Sequence, residues 1–290
     1  YIIALLRQLM TQIAPDGQEC LDGTRFLDWP SNSNKDAIAA GLQALMVWGM
    51  RVGVEFAELF KDRQLSNDCK AAEKKLVKAA SRVYKKFLAS CPAPDAPGSK
   101  QVAALMAITG LIDAPKADKE FLSINGAQGF STFYGYYMLE AMAAAGNFQG
   151  ALDVIREYWG AMIDLGATSF WEDFDINWIP NAAPIDELVP EGKKDIHGDC
   201  GAYCYVGFRH SLCHGWASGP TSWLSRHILG VEVLEPGCRQ VRITPHLGDL
   251  QWVKGTFPTP YGEIQIYHER QANGNVISEV KAPKEVSVIK

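Results

Sequence analysis

The spacing of apolar residues changes once along this chain, and the change limits what it can fold into. Up to about residue 228 apolar positions recur three to four apart, as on one face of a helix; after Gly230 they alternate, as along a strand. Ile38, Leu42, Leu45, Met46, Trp48, Val52, Phe56, Leu59 and Phe60 place a helix over residues 36–61. Ser66-Asn67-Asp68 reads as the cap of a second helix running through Leu76, Val77, Ala80, Val83, Tyr84 and Phe87. Its lysines (Lys74, Lys75, Lys78, Lys85, Lys86) read as a solvated face. Pro92, Pro94, Pro97 and Gly98 then break the pattern. Further helices are expected near 99–109, 116–123, 130–145 and 148–165, the last two joined by Gly146-Asn147, an arrangement that suggests stacked helical hairpins. Between about 167 and 206 the periodicity dissolves into a long loop of the kind that usually carries function. A helix resumes near Pro220. Residues 231–235, 240–244, 250–255, 263–268, 276–281 and 286–289 read as strands separated by Pro-Gly, Gly-Asp, Tyr-Gly and Asn-Gly turns. The expected fold class is mainly α with a C-terminal antiparallel β-domain, divided as 1–229 helical and 230–290 strand-rich.

With 290 residues and 47% hydrophobic content the chain has material for one large domain or two modest ones. A formal charge of −5 argues against a nucleic-acid partner. No segment reads as the ~20 consecutive apolar residues of a membrane span, so no membrane partner is expected. The chain opens without Met inside a short amphipathic helical pattern, which reads as a piece of a longer or processed polypeptide and leaves localisation open. Seven cysteines cannot all pair internally. Cys200 and Cys204, followed by Cys213 and His214, match no common zinc-ligand spacing; free, largely buried thiols are the better reading, and neither a metal nor a cofactor is expected.

Chemistry concentrates in Gly166-Ala-Thr-Ser-Phe-Trp171-Glu172-Asp173-Phe174-Asp175. A carboxylate flanked by rings is partly desolvated and suited to act as a base, and aromatic faces beside carboxylates suit a sugar; the plainer reading is a buried corner with a solvated acid. Asp28-Trp29-Pro30 holds Trp29 extended, either presenting a ring face to a ligand or plugging a gap between helices. In Ser211-Leu-Cys-His214-Gly-Trp216-Ala-Ser-Gly-Pro220 the glycines and Pro220 forbid a regular helix, so His214 is held between loops as a ligand contact or a structural group. His246 follows Pro245 at a strand end and reads by spacing as a surface residue. There is no G-x-S-x-G turn, phosphate loop or dinucleotide fingerprint.

These residues resemble the α-L-rhamnosidases of glycoside hydrolase family 78. The run from Leu165 to Asp175 resembles that family's GAT-x-x-W-E motif. Phe26-Leu-Asp28-Trp29-Pro30, the 133–139 and 155–162 stretches, the 211–220 stretch, Leu229-Gly-Val and Thr259-Pro-Tyr-Gly262 follow in the same order. The resemblance implies part of an (α/α)6 barrel followed by a β-sandwich, and inverting hydrolysis of terminal α-L-rhamnosyl residues. It implies Glu172 as general base, with Asp28, Trp29, Trp171, His214 and His246 contacting the sugar. The family's general acid belongs to an Asp-x-x-x-Glu stretch, normally within an Asp-Cys-Pro-x-x-x-Glu run that this sequence lacks, and seven or eight helices stand where such a barrel needs twelve. The chain therefore reads as a C-terminal part of such an enzyme, with a carbohydrate substrate. A missing N-terminal part, or a second copy, is expected to cover its apolar helix faces. The competing expectations are a sugar-binding scaffold without turnover and a glycosidase for another sugar on the same fold.

Overall fold

A computed structural model describes residues 1–91 and 93–289. By compactness the chain forms two units, Tyr1–Ala145 with Asp175–Asn177, and Gly146–Phe174 with the chain from Trp178 onward. The units do not follow the change of secondary structure near residue 230: the helix after Gly146 belongs with the strands.

The first unit is built on α1 (Ile2–Thr11), α2 (Lys35–Leu59) and α3 (Arg63–Ser90). Asn34 caps α2, its Oδ1 accepting the Ala37 N–H at 3.0 Å. The cap of α3 is Asp62, whose Oδ1 accepts the Leu65 N–H at 2.9 Å, and not Ser66-Asn67-Asp68, which lie inside the helix. The earlier start brings Leu65 into a core with Leu6, Met46, Met50, Cys69 and Leu76, and that burial outweighs the local capping signal further on. α2 is long and apolar enough, by length and composition, to cross a membrane, a property the residue-by-residue reading passed over. Its Ile38, Met46, Val47 and Met50 are instead buried in the unit.

α4 (Ser99–Ile108) and α5 (Ala114–Ala117) follow, α5 continuing through a π-type turn over Asp118–Leu122. α6 spans Gly135–Ala144, later than the sequence suggested. Ser131 lies outside it, and its hydroxyl donates to Asp28. A buried Gln43 ties the N-terminal loop to this unit. Its Nε2 donates to the carbonyls of Gly17 and Leu76, and its Oε1 accepts the Glu19 N–H at 2.7 Å. Glu19 is buried and paired with Arg25, so the buried charge is compensated.

The second unit begins with α7 (Phe148–Asp164), capped by Asn147. A long loop then carries two short parallel strands, β1 (Ala182–Ala183) and β2 (Lys194–Asp195). α8 (Gly219–Trp223) runs on through wider turns over Leu224–Ile228. Gly230 makes the switch to strands. Its φ is +74°, and a Cβ there would fall 2.3 Å from the Thr244 carbonyl carbon.

β3 (Val231–Val233), β4 (Gln240–Ile243) and β8 (Ser287–Ile289) form one three-stranded sheet; β5 (Trp252–Thr259), β6 (Gly262–Arg270) and β7 (Val276–Lys281) form another. The expectation of a wholly antiparallel β-domain is corrected by β8, which pairs with β4 in parallel after the chain crosses from the other sheet. Val231, Val241 and Ile243 of the first sheet share a core with Ile264 and Ile266 of the second, closed by Leu229 and Val286. His268 is fully buried, its Nε2 3.1 Å from the Leu229 carbonyl and its Nδ1 2.7 Å from the Ser278 hydroxyl. A carbonyl can only accept, so Nε2 carries the ring proton.

Candidate active site

α7 holds the two loops of the site. The buried Tyr158 hydroxyl donates to the Phe174 carbonyl at 2.5 Å, and the neighbouring Trp159 Nε1 donates to the Ala217 carbonyl at 2.9 Å. The loops meet as a short backbone pairing. The Glu172 N–H donates to the Ser211 carbonyl at 2.9 Å, and the His214 N–H donates to the Phe170 carbonyl at 2.7 Å. The glycines and Pro220 that deny the 211–220 stretch a regular helix leave it free to run beside Phe170–Glu172.

The Glu172 carboxylate is fixed by this pairing. Its Oε2 accepts the Ser211 N–H at 3.0 Å, and its Oε1 lies 3.7 Å from Nδ1 of His214. The first is a hydrogen bond, and the second is longer than one. Trp216 Nε1 donates to the Glu172 carbonyl at 2.8 Å, and the Trp216 ring lies 4.5 Å from that of His214. The Glu172 side chain is 16% exposed and that of His214 33%. The carboxylate therefore sits in a niche that water can reach, with one oxygen tied to the backbone and the other facing an imidazole.

Trp171 does not face that niche. Neighbours in an extended segment point to opposite sides, so placing Glu172 outward sends Trp171 inward. It is fully buried, edge-on to Phe174 at 5.8 Å. Its ring is a wall behind Glu172. Beside it lies His210, which the sequence reading did not single out. His210 is 1% exposed, and its Nε2 accepts the Asp173 N–H at 3.1 Å. Burial pushes it below the ordinary histidine value, against the opposing effect of its backbone partners, Ile196 and Asp173. Its ring is thus neutral, and since Nε2 is the acceptor, Nδ1 carries the proton. A lone histidine four residues before His214 gave no pattern by which to find it.

Asp28 lies in the first unit, buried within it. Its Oδ2 accepts from Gln101 Nε2 at 3.0 Å and Ser131 Oγ at 2.7 Å, and its Oδ1 accepts the Trp29 N–H at 2.9 Å. Burial raises its pKa, and the three donors oppose the rise. Its carboxylate is engaged inside the unit and anchors the loop that carries Trp29. Trp29 itself is half-buried, edge-on to Phe26 at 5.0 Å. In the second unit His246 is half-buried rather than a surface residue, stacked flat on Phe148 at 3.7 Å, with burial lowering its pKa.

The other end of the long loop is a self-capped turn. Asp195 Oδ1 accepts the N–H groups of His197 and Gly198, and Asp199 accepts that of Asp195. All seven cysteines are free, and Cys69, Cys91 and Cys200 are buried. Among the described residues no group of three His, Cys, Asp or Glu side chains is placed to hold a metal ion.

Residues 230–289 match the family described as the bacterial alpha-L-rhamnosidase C-terminal domain. No curated protein matches the chain. Among solved structures, the GH78 family rhamnosidase of Bacillus sp. GL1 is 21% identical and superposes with a TM-score of 0.70, covering 99% of this chain and 30% of that one. The α-L-rhamnosidase of Aspergillus terreus is 16% identical at a TM-score of 0.72, covering 99% and 33%. The Streptomyces avermitilis α-L-rhamnosidase complexed with L-rhamnose is 17% identical at 0.68, covering 99% and 26%. The chain thus spans a third or less of the length of these proteins. It has the fold of glycoside hydrolase family 78 α-L-rhamnosidases over nearly its whole length, and its residues 230–289 are similar to the C-terminal domain of bacterial α-L-rhamnosidases.

Proposed function

We propose that these 290 residues carry the general-base half of an inverting glycoside hydrolase that releases terminal α-L-rhamnose. The helices contribute part of an (α/α)6 barrel and the strands a β-sandwich. The observation that carries the reading is the Glu172 carboxylate, clamped at Oε2 by the Ser211 N–H with Oε1 turned to His214 in a water-accessible niche.

In an inverting hydrolysis a water attacks the anomeric carbon from the face opposite the leaving group. The base takes one proton from that water while an acid gives one to the departing oxygen, with the two carboxyl groups ~6.5–9.5 Å apart. Glu172 Oε1, turned toward His214, is the oxygen assigned to take the proton. The Ser211 N–H keeps the carboxylate from rotating. The 3.7 Å gap to His214 leaves the imidazole to hold either the water or a sugar hydroxyl, closing to hydrogen-bond length when one is bound. His246 contributes its ring edge, since Phe148 covers one face. The chain has no Asp-Cys-Pro-x-x-x-Glu stretch of the kind the family's acid occupies, and we assign the acid to a further part of the assembled enzyme.

The test is Glu172→Gln in the complete enzyme with an aryl α-L-rhamnoside. Turnover falls by orders of magnitude while KM changes little, because the amide keeps the shape and loses the proton acceptor. An unchanged kcat refutes the assignment. The 290-residue chain alone is expected to show little or no turnover. A panel of other aryl glycosides separates rhamnose from a different sugar on the same scaffold.

A further inference from the structure

A second surface in the β-region has the chemistry of a sugar-binding site. β5, β6 and β7 pair from Trp252↔Glu269 to Thr259↔Gly262 and from Gln265↔Lys281 to Arg270↔Val276. Because side chains alternate, Ile264, Ile266 and His268 point into the core, and their neighbours Gln265 and Tyr267 point out. The register then sets the outer face. Lys254, Tyr267 and Glu279 lie in one cross-strand row, and Thr256, Gln265 and Lys281 in the next. Trp252 lies beside the first row, 60% exposed, its ring 6.5 Å from that of Tyr267 and inclined to it by only 30°. These side chains line a hollow of about 820 Å³.

Two neighbouring rings inclined by only 30°, one exposed and one half-buried, bordered by an amide, two ammonium groups and a carboxylate, offer what a pyranose needs. The rings accept its C–H face, and the rim donates to and accepts from its hydroxyls. The charge says which glycan. Lys254 and Lys281 are matched on the same face by Glu269 and Glu279, so no excess of positive charge attracts a polyanion. The geometry points to an accessory binding surface for a neutral glycan chain on the outer face of β5–β7, with Trp252 and Tyr267 as its platform. The inference stands on the sheet alone and does not require Glu172 to be catalytic.

Affinity electrophoresis of the 290-residue chain in native gels containing a neutral rhamnan, a neutral galactan or polygalacturonate tests it. The expected result is retardation by a neutral polysaccharide. Trp252→Ala and Tyr267→Ala, with circular dichroism checked as unchanged, weaken apparent affinity about tenfold. Equal retardation of Trp252→Ala, retardation by polygalacturonate alone, or none of the unaltered chain in any gel overturns the proposal.

Discussion

Replacing His210 with phenylalanine tests how the base is held in place. Phenylalanine keeps the ring among Trp171, Trp178 and Tyr205 but removes Nε2, so the Asp173 N–H loses the acceptor 3.1 Å away. Leaving a buried donor unpaired costs about 1–3 kcal/mol. The loss falls on the peptide next to Glu172, so the carboxylate also loses part of its backbone restraint. Protonation adds a pH signature. Burial holds the folded-state pKa of His210 below its unfolded value, so the unfolded chain binds the proton more readily. The contribution of neutral His210 is therefore complete above about pH 6.5 and is lost as pH falls from there through the lower folded value. His246, also shifted down by burial, adds a slope of the same sign that the substitution leaves in place. Urea unfolding at a series of pH values between 7.5 and 5 is the assay. His210→Phe is expected to be less stable by that amount at pH 7.5, with the gap narrowing on acidification. Equal stability at pH 7.5, or a gap that widens toward pH 5, would refute a neutral acceptor at this position.

Three further substitutions probe the scaffold. Gly230→Ala places a Cβ against the Thr244 carbonyl at a positive φ and is expected to cost ~3 kcal/mol or more, read as a drop in the urea midpoint. Asp62→Ala removes the α3 cap and should cost about 1 kcal/mol, whereas Ser66→Ala should leave the start of α3 intact; hydrogen exchange of the Leu65 amide distinguishes the two caps. His246→Ala removes the stack on Phe148, worth about 0.5–1.5 kcal/mol, and in the complete enzyme should raise KM more than it lowers kcat. An unaltered KM would show that His246 only packs.

Much of the scaffold was legible because its signals are local. Asn34 and Asn147 cap helices whose apolar spacing is regular, and the alternation in 262–270 separates buried from exposed positions. The start of α3 was misread because a nearby Ser-Asn-Asp looks like a cap. The burial of Leu65, which draws the helix upstream to Asp62, depends on residues far away in sequence. The parallel pairing of β8 with β4 was invisible for the same reason: three residues carry no record of the strand they will meet. At the candidate site, the aromatic flanks of Glu172 single it out in the sequence, and its role is a proposal. The direction of Trp171 was not legible, because the pairing with residues 211–214 decides which side of the segment faces out. Asp28 was found, but its burial and its three donors were not, since Gln101 and Ser131 come from distant turns of the chain.

Chemical rescue tests the role of Glu172 most directly. In the complete enzyme Glu172→Gly removes the proton acceptor and opens space beside the Ser211 N–H. Azide, which needs no deprotonation, can then attack the anomeric carbon in place of water, while the acid still protonates the leaving oxygen. The account predicts that azide restores turnover of an aryl α-L-rhamnoside and that NMR of the product shows a rhamnosyl azide of inverted configuration. Turnover that survives Glu172→Gly without azide, or rescue obtained with Asp173→Gly or Asp175→Gly and not with Glu172→Gly, would contradict it.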